Sequence, residues 1–190
     1  MFNLANFMED THLFKDYGVD GLDSVKIDYA TFKKNRDAYI DRLHAIYHKN
    51  VAGSQVEYME GTAKFLGKKE VQVSGKDSNT ILTADHVMIA SGSQSIEAPS
   101  IVGSEHCITS DGIFEMETLP KSMVIIGGGY IGTEIAGIMN AFGVETTLLV
   151  KDLMLGRVDQ EVVDLVIENM RKQGVNIMLK TQTTKITKCP

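Results

Sequence analysis

Three consecutive glycines join an apolar run to a run of small residues in the stretch MVIIGGGYIGTEIAG, residues 123–137. The apolar run is typical of a buried parallel strand, and the second run has helical spacing. Gly127, Gly129 and Gly132 match the pattern GxGxxG between them. In that pattern the first glycine permits a tight turn, the second lets backbone approach a pyrophosphate, and the third lets helix and strand pack closely. The stretch predicts a dinucleotide-binding turn.

Strand and helix patterns alternate after Pro120. Strands are predicted at MVIIG, ETTLLVK and VNIMLK, and helices at IGTEIAGIMNAFG, ended by Gly143, and DQEVVDLVIENMRKQG, ended by Gly174. The side chains predicted to face inward from the second helix are Val162, Leu165, Val166, Ile167 and Met170. This alternation predicts βαβ units around a parallel sheet. With these neighbours, dinucleotide binding explains the glycines better than a plain structural turn does.

The first half of the chain has a different pattern. A helix is predicted over residues 31–50, capped by Asp28 or Thr31, with an apolar stripe at Phe32, Tyr39, Leu43, Ile46 and Tyr47. Five short β-type runs follow, which we expect to pair antiparallel: QVEYM, AKFL, EVQVS, NTILT and DHVMIA. Residues 93–120 are predicted to be an irregular connection. A domain boundary is expected near residues 118–121.

Composition excludes several classes of protein. The net charge is −6 and the basic residues are dispersed, so a nucleic-acid-binding surface is not indicated. No apolar run reaches the ~20 residues of a membrane span, and the N-terminal residues carry acids where a signal peptide has cations. Cys107 and Cys189 are far apart, and His44 and His48 lack a third ligand, so no metal site is predicted. We expect a cytoplasmic protein, with the mitochondrion as a second compartment.

The residues after the second predicted strand of the βαβ region indicate which nicotinamide cofactor binds. An NAD site places an acidic residue there, whereas an NADP site needs cations for the additional phosphate. Here Lys151 stands at the strand end and Arg157 follows, although Asp152 lies beside the lysine. A solvated charge is the ordinary interpretation of a lysine at a strand end. The two cations nevertheless favour NADPH.

Five segments stand in a distinctive order over nearly the whole chain: KKNRDAYIDRLHAIYHKN, EGTAKF, HVMIASG, ITSDGIFEMETLP and VIIGGGYIGTEIAGIMNAFG. Together they resemble the glutathione reductases, a group of flavoproteins within the pyridine nucleotide–disulfide oxidoreductase family. The resemblance implies an α/β, three-layer, Rossmann-like fold. Residues 1–118 would form part of an FAD-binding domain with an antiparallel meander, and residues 119–190 part of an NADPH-binding βαβ domain.

The resemblance also implies roles for residues around the nicotinamide cofactor. Lys151 and Arg157 match two arginines that hold the 2′-phosphate, and the lysine is a departure because an ammonium group cannot form the bidentate fork of a guanidinium. Tyr130 matches a tyrosine that covers the nicotinamide pocket, and Glu134 matches a glutamate near that ring. Ile131 completes the expected contacts of this turn.

Other positions match flavin and substrate contacts. Thr62 and Ala63 match a segment that touches the FAD adenine, Ser91–Gly92 a pair near the flavin, and Ser110 a serine at the same cofactor. For Ser110 a plain structural role is an equal alternative. Tyr39, Tyr47 and Asn50 match residues that line the glutathione site, and helical offsets of 8 and 11 can place all three on one face. The two tyrosines could instead belong to a core stripe.

The family's activity passes electrons from NADPH through FAD and a redox disulfide to glutathione disulfide. The CxxxxC disulfide and the histidine–glutamate pair of the family have no match here, so no catalytic residue is assigned, and an internal fragment or truncated product is expected. We expect a homodimer for the full-length protein, and poor folding or association for this segment. Two alternatives stay open: dihydrolipoamide dehydrogenase or another disulfide reductase, and an inactive nucleotide-binding protein.

Overall fold

The computed structural model describes residues 1–76, 78–96 and 100–188. Cys189, one of the two cysteines considered above, lies outside the described residues. The helices and strands in chain order are α1 (Phe2–Leu13), α2 (Tyr29–Gly53), β1 (Thr62–Phe65), β2 (Glu70–Ser74), β3 (Asn79–Thr83), α3 (Ser110–Glu115), β4 (Ser122–Ile126), α4 (Tyr130–Ala141), β5 (Glu145–Leu149), α5 (Gln160–Lys172) and β6 (Asn176–Met178). The mixed α/β fold class predicted from the sequence is confirmed.

The chain forms two compact units. One contains residues 1–32 and 95–190, and the other contains residues 33–94. The functional division expected from the sequence, into residues 1–118 and 119–190, stays a prediction.

A parallel sheet organises the first unit. Its strand order is β4-β5-β6, and both neighbouring pairs are parallel, as the alternating pattern predicted. The main core cluster joins residues of α4, β5, α5 and β6 with the segment after β5. Its buried members are Ala136, Leu148, Val150, Met154, Val163, Ile167, Met170, Val175 and Ile177. This core holds the carboxyl ends of β4 and β5 side by side, where the glycine-rich turn begins.

Two of the five inward positions predicted for α5 are wrong. Val162 and Leu165 are 53% and 67% exposed, whereas Val163, which was not predicted, is 1% exposed. Val163, Ile167 and Met170 are spaced by four and three residues, so they recur on one face of the helix. Val162 and Leu165 precede that face by one or two residues and rotate away from it.

The other face of the parallel sheet is open among the described residues. Val124, Ile126 and Met178 point away from the core side chains of their strands, and their exposed fractions are 62%, 43% and 44%. Three apolar side chains on one uncovered sheet face favour association with another apolar surface. The association expected from the sequence stays a prediction.

A helix that the sequence analysis did not assign packs on the same unit. Ala5 of α1 is buried in a cluster with Tyr29 and Phe142. The rings of Tyr29, Phe32 and Phe142 contact one another at centroid distances between 6.1 and 6.5 Å. These edge-on and tilted contacts suit the quadrupoles of aromatic rings. Residues 1–32 therefore add a second apolar cluster beside α4.

The second unit contains the predicted antiparallel meander. Strands β1, β2 and β3 pair antiparallel in chain order. The predicted strands QVEYM (55–59) and DHVMIA (85–90) are wrong, because neither run pairs with a strand among the described residues. A β-type run needs a hydrogen-bonded neighbour to become a strand. No described residue between 33 and 94 is buried, so apolar residues such as Met88 and Ile89 stay exposed.

The predicted irregular connection over residues 93–120 contains a helix. The α3 helix begins at Ser110 and buries Ile113 against Met139 and Val144. Val102 also forms a parallel bridge with Lys185. Tertiary contacts thus order a segment whose local pattern indicated only a loop.

Asp28 caps α2, and it is one of the two residues that the sequence predicted as alternative caps. Its carboxylate accepts a hydrogen bond from the Thr31 backbone N–H at 3.0 Å and another from the Thr31 hydroxyl at 2.7 Å. These bonds lower the pKa of Asp28 below its usual value, and the bond from the Thr31 hydroxyl has the largest effect. Because the folded-state pKa lies below the unfolded one, the cap's contribution is present above the unfolded value of about 4 and is lost as pH falls through the folded pKa.

We expect acidification to fray the first turn of α2 for this reason. The measurement is the Thr31 amide signal by NMR as pH is lowered. Asp28→Asn is the matched control, because asparagine caps a helix without titrating. A variant that frays over the same pH range as the unaltered chain would assign the effect to another group.

Candidate functional site: a glycine-rich turn and a cationic loop

The first glycine of the motif has the conformation that its predicted role requires. Gly127 has φ +118°, a region that residues with a side chain rarely adopt. Its N–H donates to the Leu149 carbonyl at 2.9 Å, which continues the pairing of β4 with β5. The chain then turns sharply, and α4 begins three residues later. Gly127 therefore ends the strand and starts the turn.

The other two motif glycines differ in their surroundings. A Cβ on Gly132 would overlap the carbonyl oxygen of Gly127, so this first turn of α4 packs directly on the strand end. A Cβ on Gly129 would meet nothing within 4 Å. The space beside Gly129 is therefore open, as its predicted role in letting a pyrophosphate approach requires.

The amino end of α4 is open to an anion. Gly129 precedes the helix, and no side chain there accepts a hydrogen bond from the first-turn N–H groups. Such N–H groups have no partner within the helix, and the helix dipole adds partial positive charge. Tyr130 and Ile131 are 68% and 43% exposed, and Glu134 is also exposed. The amino end of α4 and these three side chains are thus accessible to a ligand.

A loop with two cations follows β5 and is hydrogen-bonded to the glycine turn. Lys151 and Arg157 are both exposed. Between them, the Leu155 N–H donates to the Gly128 carbonyl at 2.7 Å. The loop ends at Asp159, whose carboxylate caps α5 by accepting from the Glu161 N–H at 3.0 Å. The structure therefore joins the two predicted elements, the glycine turn and the cationic segment, into one site.

Two residues of this site were missed by the sequence analysis. Gly128 occupies a variable position of the GxGxxG pattern, yet a Cβ there would come within 2.7 Å of a Val150 methyl group and 3.2 Å of the Met154 Cα. The run of three glycines was the available signal for a close approach. Leu155 offered no signal, because its role depends on its backbone.

The residues predicted to contact flavin and substrate are exposed or half-buried. Ser110, in the first unit, shares a hydrogen bond of 3.2 Å with Ser95. The second unit contains the remainder, all exposed: Tyr39, Tyr47, Asn50, Thr62, Ala63, Ser91 and Gly92. Tyr39 and Tyr47 are 53% and 58% exposed, so the core-stripe alternative does not describe them. The role of each residue stays a prediction.

The described residues contain no cluster of three metal-ligating side chains. Within the same residues, no helix is long and apolar enough to cross a membrane. A shallow depression of about 500 Å³ is lined by residues of α5 and by Leu179, none of which was predicted as a site residue.

A parallel βαβ arrangement with an open glycine turn defines the class of dinucleotide-binding proteins. Comparison with known families makes this assignment narrower. The model of the pyridine nucleotide-disulphide oxidoreductases matches residues 5–190. The chain belongs to this family of oxidoreductases, as the resemblance indicated.

Curated relatives include three yeast glutathione reductases. Those of Debaryomyces hansenii, Schizosaccharomyces pombe and Yarrowia lipolytica are 35%, 33% and 36% identical, over 94%, 100% and 99% of this chain. The chain spans only 41% or 42% of their lengths.

Solved structures support the same fold. The HOCl-induced flavoprotein disulfide reductase RclA from Escherichia coli superposes with a TM-score of 0.73 at 23% identity, over 94% of this chain and 38% of that one. Its Cu(II) complex gives 0.75 at 24% identity, over 95% and 39%. At these identities the neighbours support the fold alone, whereas membership of the family implies FAD and a nicotinamide cofactor.

Proposed function

We propose that this chain supplies the NADPH-binding part, and portions of the flavin and substrate sites, of an enzyme that reduces glutathione disulfide. The observation that carries the proposal is the loop with Lys151 and Arg157, hydrogen-bonded through Leu155 to the glycine turn. Backbone donors at the turn suit a pyrophosphate, and two cations beside it suit the 2′-phosphate that distinguishes NADPH from NADH.

The residues around the glycine turn fit this cofactor. Gly129 leaves space on the solvent side, and the start of α4 lacks a side-chain acceptor that would compete with phosphate. Lys151 contributes a point charge in place of an arginine fork, so its contact depends more on distance than on orientation. Tyr130, exposed at the same helix end, is proposed to cover the nicotinamide, with Glu134 near the ring.

The proposal for flavin and substrate rests on the resemblance and the yeast relatives. Thr62, Ala63, Ser91, Gly92 and Ser110 would contact FAD. The chemistry that bound FAD supplies is transfer of an electron pair from the nicotinamide to a disulfide. In the net reaction NADPH and one proton reduce glutathione disulfide to two thiols.

The proposed substrate contacts lie on one helix. Tyr39, Tyr47 and Asn50 are accessible on α2, and their hydroxyl and amide groups can hydrogen-bond a peptide. The guanidinium of Arg42 lies 5.1 Å from the centre of the Tyr39 ring, a cation–π contact that orients this ring. The homodimer of the whole protein and the cytoplasmic or mitochondrial location stay predictions.

Ligand binding distinguishes the candidates. We expect NADPH and glutathione disulfide to bind this chain in calorimetric titrations, with NADPH preferred over NADH and glutathione disulfide over lipoamide. A dihydrolipoamide dehydrogenase would give the opposite preferences. An inactive nucleotide-binding protein would bind NADPH without binding either disulfide.

The 190-residue chain alone is expected not to catalyse the reduction of glutathione disulfide by NADPH. Its two cysteines, Cys107 and Cys189, lack the CxxxxC spacing, so disulfide exchange has no paired nucleophile in this sequence. The measurement is the absorbance of the reduced nicotinamide of NADPH over time, in the presence of FAD and glutathione disulfide. Sustained oxidation above the rate without protein would show that another group replaces the disulfide.

A further inference from the structure

Leu155 has a backbone conformation that leucine rarely adopts. Its φ is +46°, in the left-handed region where a Cβ crowds the following carbonyl. Residues held in this region tend to cluster where a fixed geometry serves a function. Leu155 lies midway along the loop that carries Lys151 and Arg157.

The other two non-glycine residues with positive φ among the described residues have local explanations. Gln55 follows the end of α2, where a left-handed residue commonly terminates a helix. Lys180 lies in the turn after β6. Leu155 also lies in a turn, over residues 154–157, but this turn belongs to the loop that carries Lys151 and Arg157.

Both polar backbone groups of Leu155 have partners. Its N–H donates to the Gly128 carbonyl at 2.7 Å, and its carbonyl accepts from the Val158 N–H at 2.8 Å. The first bond joins the loop to the glycine turn, and the second closes the loop around Arg157. With φ near −65°, the chain after Leu155 would leave the Gly128 bond in another direction, so the bond to Gly128 and the present path through Arg157 could not both be kept.

The side chain and its neighbour anchor the same point. Leu155 packs against the main core cluster, and Met154 beside it is 1% exposed. The loop is therefore fixed at its centre, while its two cations remain exposed. Two long cationic side chains carry a large entropic cost of ordering, and a fixed backbone reduces the part of that cost that binding must offset.

We propose that Leu155 is a positioning residue that sets the preference for NADPH, because its left-handed backbone holds Lys151 and Arg157 beside the pyrophosphate turn. This role rests on the proposed NADPH site, and it assigns the specificity of that site to the loop that Leu155 fixes. Leu155 touches neither phosphate nor nicotinamide in this role, and it acts through the hydrogen bond to Gly128.

The test compares three substitutions in the full chain by the ratio of the NADH and NADPH dissociation constants. Leu155→Val keeps an apolar side chain, smaller by one methylene group, and the N–H, but a β-branched residue strongly disfavours positive φ. Leu155→Pro removes the N–H and fixes φ near −65°. Leu155→Asn tolerates the left-handed region and keeps the N–H but removes the apolar packing, so it isolates the effect of the backbone conformation.

We expect Leu155→Val to lower the ratio of the NADH to the NADPH dissociation constant about fivefold or more, because the left-handed region is costly for a residue with a side chain. Leu155→Pro should lower this ratio further. Leu155→Asn should keep the ratio within about threefold of its value in the unaltered chain. The dissociation constant for NADH should change little in every variant. A merely structural role would weaken both cofactors together. If the proline variant fails to fold, comparison of the valine and asparagine variants tests the role of Leu155.

The outcomes separate this proposal from the one on which it rests. Equal affinities for NADPH and NADH in the unaltered chain would overturn the NADPH assignment and the role of Leu155 with it. A clear NADPH preference that Leu155→Val leaves unchanged, while Lys151→Glu abolishes it, would overturn the role of Leu155 alone.

Discussion

A Gly132→Ala variant is expected to lose both stability and NADPH affinity. The added methyl group would overlap the Gly127 carbonyl, and backbone cannot yield as the end of a flexible side chain can. Overpacking of this kind costs about 1–3 kcal/mol in the free energy of unfolding. As α4 moves away from the strand, its N–H groups leave the phosphate position. We expect at least a tenfold weaker NADPH affinity, since one hydrogen bond to a charged group contributes about 1.5–3 kcal/mol.

Two matched glycine-to-alanine variants serve as controls. Gly129→Ala adds its methyl group to open space at φ −75°, so stability should be unchanged while NADPH affinity falls. Gly137→Ala, inside α4 with nothing within 4 Å, should raise the free energy of unfolding by about 1 kcal/mol and leave binding unchanged. Chemical denaturation and calorimetric titration measure the two quantities. A Gly129→Ala variant with full affinity would show that the pyrophosphate binds elsewhere.

A Lys151→Glu variant is expected to bind NADPH about 10- to 100-fold more weakly, because it removes a charge-assisted contact of about 1.5–3 kcal/mol and adds repulsion. NADH affinity should stay within about threefold, since NADH lacks the 2′-phosphate. Lys151 is exposed, so the effect should diminish as salt is raised. Titrations with both cofactors at two ionic strengths measure it.

Lys121→Glu is the matched control for the change in net charge. Lys121 is also exposed, but it precedes β4 and lies at the amino end of the sheet, where its carbonyl accepts from the Glu145 N–H. Its reversal should leave both affinities unchanged. An equal loss from the two reversals would mean that overall charge, and not a local phosphate contact, attracts the cofactor.

The parallel βαβ unit could be predicted from the sequence because its signals are local. Gly127 and Gly132 meet backbone requirements that few other residues satisfy, Gly129 completes the motif, and apolar strands alternate with helices at short spacing. Asp28 was identifiable as one of two candidate caps from its position before a helix with an apolar stripe. The cations at the end of β5 were visible in the same way.

Other features could not be predicted because they depend on distant partners. The runs 55–59 and 85–90 have β-type composition, but a strand exists only where a neighbour completes its hydrogen bonds. The α3 helix forms where Ile113 reaches Met139 and Val144. On α5, packing against the core cluster decided that Val163 and not Val162 is buried.

The sequence by itself determined the glycine turn, the parallel order of strand and helix, and the two cations that follow, since each depends on residue type and spacing. Only the tertiary structure decided that the cationic loop is fastened to the turn. That connection is a backbone hydrogen bond from a left-handed Leu155 to Gly128. Backbone groups are the same in every residue except proline, so residue type does not indicate which backbone groups will hydrogen-bond to each other.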